Sequence, residues 1–116
     1  MNHQYDEFTA FANLLADESA IILNNYFRTK IKIENKEDNT PVTIADQNTE
    51  LKIRDLITKH YPTHCILGEE FDNFDGGSEF TWVIDPIDGT RSFIAGHKDY
   101  GTLIALLHNN KPIIGI

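Results

Sequence analysis

The chain has 116 residues, of which 41% are hydrophobic and 24% charged, a composition typical of one globular domain. Its formal net charge of −8 argues against a main role in binding nucleic acid or an anionic membrane surface, since both would repel it. The single cysteine, Cys65, excludes an internal disulfide and fits a reducing compartment. The sequence shows neither a secretory signal nor an apolar run of about 18 residues, which predicts a cytoplasmic location.

The first predicted element is an amphipathic helix over residues 5–29. Apolar side chains recur there at spacings of three, four and seven, which is the pattern of one helical face. We expect this stripe to be core rather than a binding site. Its members are Phe8, Phe11, Ala12, Leu15, Ile22 and Tyr26. Residues 30–40 predict a short strand or hairpin followed by a loop.

A second helix is predicted over residues 41–61. Thr43 and Asp46 have the spacing of a capping box, and apolar residues farther along supply a buried face. A carboxylate in a first helical turn is favoured by the helix dipole alone, so Asp46 could be structural as well as functional.

The central feature is a pair of apolar runs that each end at carboxylates. Residues 64–68 predict a strand that ends at Glu69 and Glu70, and residues 81–84 predict a buried strand that runs into Asp85-Pro86-Ile87-Asp88-Gly89-Thr90. Asp88 occupies the position expected for a helix N-cap. A turn and a capped helix would explain this segment by itself. Three carboxylate-ended segments, counting the one at Asp46, favour a site for hard cations and a phosphate.

The remaining elements complete a predicted α+β fold. A short helix is expected over 89–95, closed by Gly96, followed by a strand over 100–108. Asn109 and Asn110 predict a tight turn, and 113–116 a partner strand. We therefore expect two N-terminal helices packed on an antiparallel β-sheet.

These motifs resemble the inositol monophosphatase family of magnesium-dependent, lithium-sensitive phosphatases. The resemblance rests on three segments: Val42-Thr43 with Asp46, Gly68-Glu69-Glu70, and the run from Trp82 to Thr90. Residues 91–96 and 101–104 look most like the histidinol-phosphate phosphatase branch. The resemblance covers nearly the whole chain but only the N-terminal half of a typical member. It implies that residues 1–116 form the N-terminal metal-binding portion of an α/β layered sandwich, truncated at the C-terminus.

The resemblance also implies a metal site. Glu69, Asp85 and the carbonyl of Ile87 would hold one Mg²⁺, and Asp85 with Asp88 would hold a second. Two or three ions are expected per complete site, and Mn²⁺ can substitute. Glu70 is a further candidate ligand.

Catalytic and phosphate-binding roles follow from the same resemblance. Thr90 with Asp46 would orient or deprotonate a water, and the backbone of Gly89 and Thr90 would hold the phosphate. Arg91 would contact substrate or form a structural ion pair. Lys36 would close over the metal site, or remain a solvated surface lysine.

The function that the resemblance implies is Mg²⁺-dependent hydrolysis of a small phosphomonoester by metal-activated water. Histidinol phosphate, an intermediate of histidine biosynthesis, is the favoured substrate. Inositol 1-phosphate or a related sugar phosphate is the alternative. The apolar end of the chain, residues 111–116, favours another alternative, a non-catalytic metal-binding or association fragment. The full-length form is expected to be a homodimer, with no nucleic-acid or membrane partner.

Overall fold

The structure is a computed structural model that describes residues 3–30, 33–36 and 41–116, with Pro41 and Val42 described by their backbone alone. Residues 31, 32 and 37–40, which belong to the strand and loop predicted over 30–40, lie outside the described residues. The elements are α1 His3–Tyr26, β1 Ile33–Asn35, β2 Pro41–Thr43, α2 Ile44–His60, β3 Cys65–Gly68, β4 Phe80–Asp88, α3 Thr90–Ile94, β5 Gly101–His108 and β6 Lys111–Gly115. Within the described ranges, none of the helices combines the length and hydrophobicity needed to cross a membrane.

The main sheet has the strand order β3-β4-β5-β6 and is mixed. The pairs β4–β5 and β5–β6 are antiparallel, whereas β3 runs parallel to β4, with Cys65 opposite Thr81 and Gly68 opposite Ile84. The expectation of an antiparallel sheet is corrected for this one pair, because the connection over 69–79 returns the chain to the end at which β3 began. The α+β class and the packing of two helices on the sheet are confirmed. Strands β1 and β2 form a separate antiparallel ribbon.

Both long helices pack on the sheet through one apolar core. Phe8 and Leu15 of α1 meet Ile53 of α2 and Trp82 and Leu106 of the sheet, and each of these side chains is at most 1% exposed. Burying one apolar side chain of this size contributes about 1.5–3 kcal/mol to the stability of the folded state. Four of the six residues of the stripe predicted over 5–29 are buried in the core, as expected. Ile22 and Tyr26 are only half-buried, Leu23 is buried instead, and the helix ends at Tyr26.

The second helix begins three residues later than predicted. Residues 41–43 pair with β1, and Thr43 has extended backbone angles, φ −124° and ψ 166°. The predicted capping box is confirmed, since the Thr43 hydroxyl accepts from the backbone of Asp46 while the Asp46 carboxylate accepts from the backbone of Thr43. The helix therefore starts at Ile44, where its cap places it.

The N-cap predicted at Asp88 is wrong. Strand β4 continues through Asp88, and Gly89 caps α3 with φ 90° and no side-chain hydrogen bond. A Cβ at Gly89 would lie 2.7 Å from the carbonyl oxygen of Asp99, so both the backbone angle and the close approach require glycine. The predicted turn at Asn109 and Asn110 is present, and both residues have positive φ, as a two-residue hairpin turn requires.

His64 is a buried, neutral member of the core. Its side chain is 8% exposed, and Nδ1 accepts a hydrogen bond of 3.0 Å from the indole N–H of Trp82. The imidazole stacks on Tyr61, with ring centroids 4.6 Å apart. Burial lowers the pKa of His64, because the surroundings disfavour the charged ring.

We expect the stability that His64 provides to be lost in mild acid. Its folded pKa is below the unfolded value of about 6.5, so below that pH the unfolded chain binds a proton that the folded chain resists. At pH 7 the free energy of unfolding of the wild type should therefore exceed that of His64→Gln. This difference should shrink by at most about 1.4 kcal/mol per pH unit as the pH is lowered towards 5. Urea unfolding of both proteins across this range measures the excess. An excess that stays constant with pH would contradict a buried neutral His64.

Candidate active site

Asp46 and Thr90 join the second helix to the turn that follows β4. Asp46 is 1% exposed, and its Oδ2 accepts a hydrogen bond of 3.1 Å from the Thr90 hydroxyl. Its Oδ1 accepts from the Thr43 backbone N–H at 2.8 Å and from the Thr43 hydroxyl at 2.6 Å. These bonds compensate the buried carboxylate and fix its direction. The structure thus brings together the two residues to which the family resemblance assigned water activation.

Asp85 and Asp88 lie on either side of an irregularity in β4. Pro86 and Ile87 lie opposite the single residue Thr102, so the strand bulges where proline could not have donated to the ladder. The Thr102 hydroxyl donates to the Pro86 carbonyl at 2.8 Å, which anchors the bulge to β5. Asp88 is exposed, whereas Asp85 is half-buried. The bulge therefore delivers both carboxylates to the end of the strand on an anchored backbone.

The turn after β4 carries the predicted phosphate-binding residues. The Ile87 carbonyl oxygen also lies 3.1 Å from the Thr90 hydroxyl, whose one proton can go either to this oxygen or to Asp46, and the carbonyl keeps a lone pair for a ligand. The Gly89 carbonyl accepts from the N–H of Phe93 at 3.0 Å, which closes the first turn of α3. Arg91 is exposed on that helix. The roles of Gly89, Thr90 and Arg91 towards phosphate stay predictions.

Asp85 stands in a surplus of negative charge. Burial is the main cause that raises its pKa to about 6, and the charges of Glu69, Asp88 and Asp46 raise it further, against the smaller opposing effect of Lys36. A pKa raised this far means that the folded protein disfavours this carboxylate as an anion. Four acids from three separate segments therefore act on one another here, as their common position at element ends predicted.

Lys36 and Glu70 form an ion pair at the margin of these acids. The ammonium lies 2.9 Å from Glu70 Oε1, and the side chains are 31% and 6% exposed. Burial opposes the charged ammonium, but the hydrogen bond with Glu70 and the charges of Glu70, Glu69 and Asp46 outweigh it and raise the pKa of Lys36. The pKa of Glu70 is raised as well, because burial and the charges of Asp46 and Glu50 exceed the effect of the one lysine. The cluster thus remains short of positive charge.

The donor set is one that magnesium prefers. The predicted ligands Glu69, Asp85, Asp88 and the carbonyl of Ile87 offer oxygen atoms only, and a divalent cation would relieve the charge that disfavours ionised Asp85. Among the residues that the structure describes, no three His, Cys, Asp or Glu side chains converge closely enough to hold one ion. The donor chemistry and the charge of the site thus fit Mg²⁺, whereas the described side chains are not gathered around one ion position. The assignment of individual ligands stays a prediction.

A cavity of about 440 Å³ opens beside these acids. Glu69 and Asp85 form its polar end, and apolar side chains of β4 and β5 with Ile116 form the rest. Its volume is within the usual range for pockets that bind small molecules.

Sequence reasoning missed two residues that support the site, Glu50 and Arg54. Glu50 is completely buried on α2, and its carboxylate accepts hydrogen bonds from the backbone N–H groups of Glu69, Glu70 and Phe71. Arg54 pairs with Glu50 at 2.9 Å. The available signal was a Glu and an Arg four residues apart on a predicted helix, which ordinarily indicates a solvated surface pair.

Comparison with known proteins identifies the family. The model of the inositol monophosphatase family matches residues 4–116. A chloroplastic bifunctional phosphatase of Arabidopsis thaliana is 46% identical over 115 residues, which cover 97% of this chain and 33% of the relative. A histidinol-phosphatase of Chlorobaculum parvum is 46% identical over 93 residues, which cover 79% of this chain and 36% of the relative.

A solved structure agrees with these relatives. An inositol monophosphatase of Zymomonas mobilis matches with a TM-score of 0.77 and 39% identity, covering 97% of this chain and 43% of that chain. The chain thus spans about a third of the length of the curated relatives named above. From residue 4 to residue 116, this chain belongs to the inositol monophosphatase family.

Proposed function

We propose that this chain carries the metal-binding and water-activating part of a Mg²⁺-dependent phosphomonoesterase. The observation that supports it most directly is the surplus of acids around Asp85, whose pKa of about 6 reflects burial and the neighbouring charges of Glu69, Asp88 and Asp46. A net charge of −8 would otherwise repel a phosphate ester. Cations held by these acids would reverse the local sign and permit such a substrate to bind.

The proposed ligands lie on β4 or directly after its neighbour β3. Glu69 follows β3, and Asp85, the Ile87 carbonyl and Asp88 come from β4. Asp85 would serve both ions. When bound, Mg²⁺ supplies Lewis acidity that neutralises phosphoryl oxygens and lowers the pKa of a water. Ligands on anchored strand ends hold their positions better than ligands on free loops.

Thr90 and Asp46 would position the attacking water. A threonine hydroxyl has one proton, and when it donates that proton to Asp46 its lone pairs can accept a hydrogen bond from water. Asp46 is fixed for this purpose by its two bonds from Thr43. The arrangement orients water for in-line attack and offers a carboxylate as the final proton acceptor.

We propose histidinol phosphate as the first substrate to test. The histidinol-phosphatase of Chlorobaculum parvum is 46% identical over 93 residues. Residues 91–96 and 101–104 also resemble that branch. Inositol 1-phosphate is the second candidate, favoured by the 39% identity to an inositol monophosphatase of known structure. We propose a cytoplasmic location for the protein and a homodimer for its full-length form.

The decisive experiment measures phosphate release from histidinol phosphate and inositol 1-phosphate, with Mg²⁺ and with EDTA. Wild type is expected to release phosphate only with Mg²⁺, and Asp88→Asn is expected to lose this release because one carboxylate of the second site is gone. Asp55→Asn is the matched control. It makes the same chemical change on the exposed face of α2, where Asp55 pairs with Lys59, and should retain wild-type release.

The outcomes separate the candidate functions. Faster release from one ester assigns the substrate branch. Release that persists in EDTA or in Asp88→Asn would contradict the proposed site. No release from a folded wild-type chain that binds Mg²⁺ would favour the alternative of a non-catalytic metal-binding fragment.

A further inference from the structure

The buried carboxylate of Glu50 controls the backbone of the turn that carries Glu69 and Glu70. Its Oε1 accepts hydrogen bonds from the N–H groups of Glu69 and Glu70 at 2.8 and 2.9 Å, and its Oε2 accepts from the N–H of Phe71 at 3.1 Å. These three successive residues belong to no helix or strand, so they have no ladder partners for these groups. One carboxylate therefore serves as the common acceptor that defines the shape of the turn.

Arg54 completes this arrangement from one helical turn further along α2. Its Nε donates to Glu50 Oε2 at 2.9 Å, while Nη1 and Nη2 donate to the carbonyls of Asp72 and Phe71 at 2.8 and 3.0 Å. The guanidinium thus compensates the buried charge of Glu50 and binds the far side of the same turn. We call the Glu50–Arg54 pair the turn clamp.

Gly68 shows how closely the turn approaches the turn clamp. A Cβ at Gly68 would lie 2.5 Å from Glu50 Oε2 and 2.7 Å from Arg54 Nη2, distances that real Cβ contacts do not reach. Glycine at this position permits the backbone to rest directly on the clamp.

The helix also links the turn to the water-positioning pair. Asp46, Glu50 and Arg54 follow one another at intervals of four, so they lie along one face of α2. The first of them holds Thr90, and the other two hold the turn that presents Glu69. One rigid helix therefore sets the spacing between the two halves of the site.

We propose that Glu50, held by Arg54, is a positioning residue that sets the divalent-ion affinity of the site by fixing the turn of residues 69–71. This inference rests on the proposed function, because it assumes that Glu69 is a metal ligand. Neither side chain needs to touch the ion. Residues that act through a ligand in this way typically change metal affinity about 10- to 100-fold when replaced.

The test compares wild type with Glu50→Gln. Glutamine has the same shape, but its amide nitrogen is a donor and cannot accept from the backbone N–H groups. In the metal-free protein, we expect faster amide hydrogen exchange at residues 69–71. We also expect the Mn²⁺ dissociation constant, measured from the electron paramagnetic resonance of free Mn²⁺, to rise about 10- to 100-fold.

Ile57→Val is the control for a general loss of stability. Ile57 is completely buried on the same helix. Its hydrocarbon side chain cannot form a hydrogen bond with the turn or with the predicted ligands. Its exchange at 69–71 and its Mn²⁺ affinity should match wild type. If Glu50→Gln does not fold, Arg54→Lys is measured in the same way, because lysine keeps the charge but cannot reach both carbonyls.

The results distinguish this inference from the proposed function. If wild type binds Mn²⁺ and the clamp variant (Glu50→Gln, or Arg54→Lys in its place) binds it with the same affinity, the inference alone is overturned. Weaker binding by Ile57→Val to the same extent would also overturn it, since the effect would then be one of stability. No Mn²⁺ binding by wild type would overturn the proposed function together with the inference. Loss of affinity confined to the clamp variant, accompanied by faster exchange at 69–71, supports it.

Discussion

Asp85→Asn is expected to stabilise the metal-free protein at pH 7 and to abolish its stabilisation by Mg²⁺. The folded pKa of Asp85, about 6, lies above its ordinary value of 3.8. Ionisation at pH 7 therefore costs more in the folded state than in the unfolded chain. After allowance for solvent at this half-buried group, the gain in Asp85→Asn is roughly 1 kcal/mol, or roughly 4 °C in melting temperature.

The stability advantage of Asp85→Asn depends on pH. Stability connected with a raised carboxylate pKa is fully present below pH 3.8 and is lost as the pH rises through about 6. The advantage of Asp85→Asn over wild type should accordingly shrink as the pH is lowered from 7 towards 4. Thermal unfolding followed by circular dichroism, in EDTA and at saturating Mg²⁺, measures both effects.

The order of stability of wild type and Asp85→Asn is expected to reverse between EDTA and saturating Mg²⁺. Mg²⁺ at 100 times its dissociation constant would stabilise wild type by about 2.7 kcal/mol, whereas Asp85→Asn should show no such gain. Asp55→Asn, an exposed replacement of the same kind, should behave as wild type in both conditions. Equal stabilisation of wild type and Asp85→Asn by Mg²⁺ would refute the assignment of Asp85 as the shared ligand.

Trp82→Ala is expected to cost about 3–5 kcal/mol of the free energy of unfolding. Trp82 is fully buried at the centre of the core, where its ring lies 5.5 Å from that of Phe11 and perpendicular to Phe8, and its indole N–H donates to His64. Its removal leaves a large cavity and takes from His64 its hydrogen-bond donor. Domains of this size have a total stability of about 5–15 kcal/mol, so much of the population could unfold.

Denaturant unfolding followed by circular dichroism measures this loss, because the chain has one tryptophan and the variant has no intrinsic tryptophan signal. Leu103→Ala is the matched control. Leu103 lies on the same sheet but is 50% exposed, and its removal should cost much less. A loss below about 1 kcal/mol for Trp82→Ala would contradict the central place of Trp82 in the core.

Local patterns predicted most of the fold. The apolar periodicity of α1, the capping box before α2 and the paired asparagines between β5 and β6 each depend on residues close in sequence, and all three are confirmed. The parallel course of β3 and β4 could not be read in this way, because it depends on the path of the intervening loop. Strand β2 was missed since its three residues gain extended geometry from pairing with β1.

The site shows the same division. The acids at the ends of β3, β4 and the first turn of α2 were predicted from their positions, and the structure places them within electrostatic reach of one another. Asp88 was expected to cap α3, but a left-handed angle at the following residue was not visible in the sequence. Glu50 resembled a solvated helix residue, and its burial depends on a turn nineteen positions away folding back onto it.

The order in which the chain is synthesised has a consequence for its apolar core. Phe8 and Leu15 are made well before Ile104 and Leu106 of β5, which belong to the same core cluster. At about 5–20 residues per second, roughly 5–20 s separate the synthesis of these two segments. Throughout that interval the apolar stripe of the nascent first helix lacks its final cover, so it is the segment of a growing chain on which a chaperone would act.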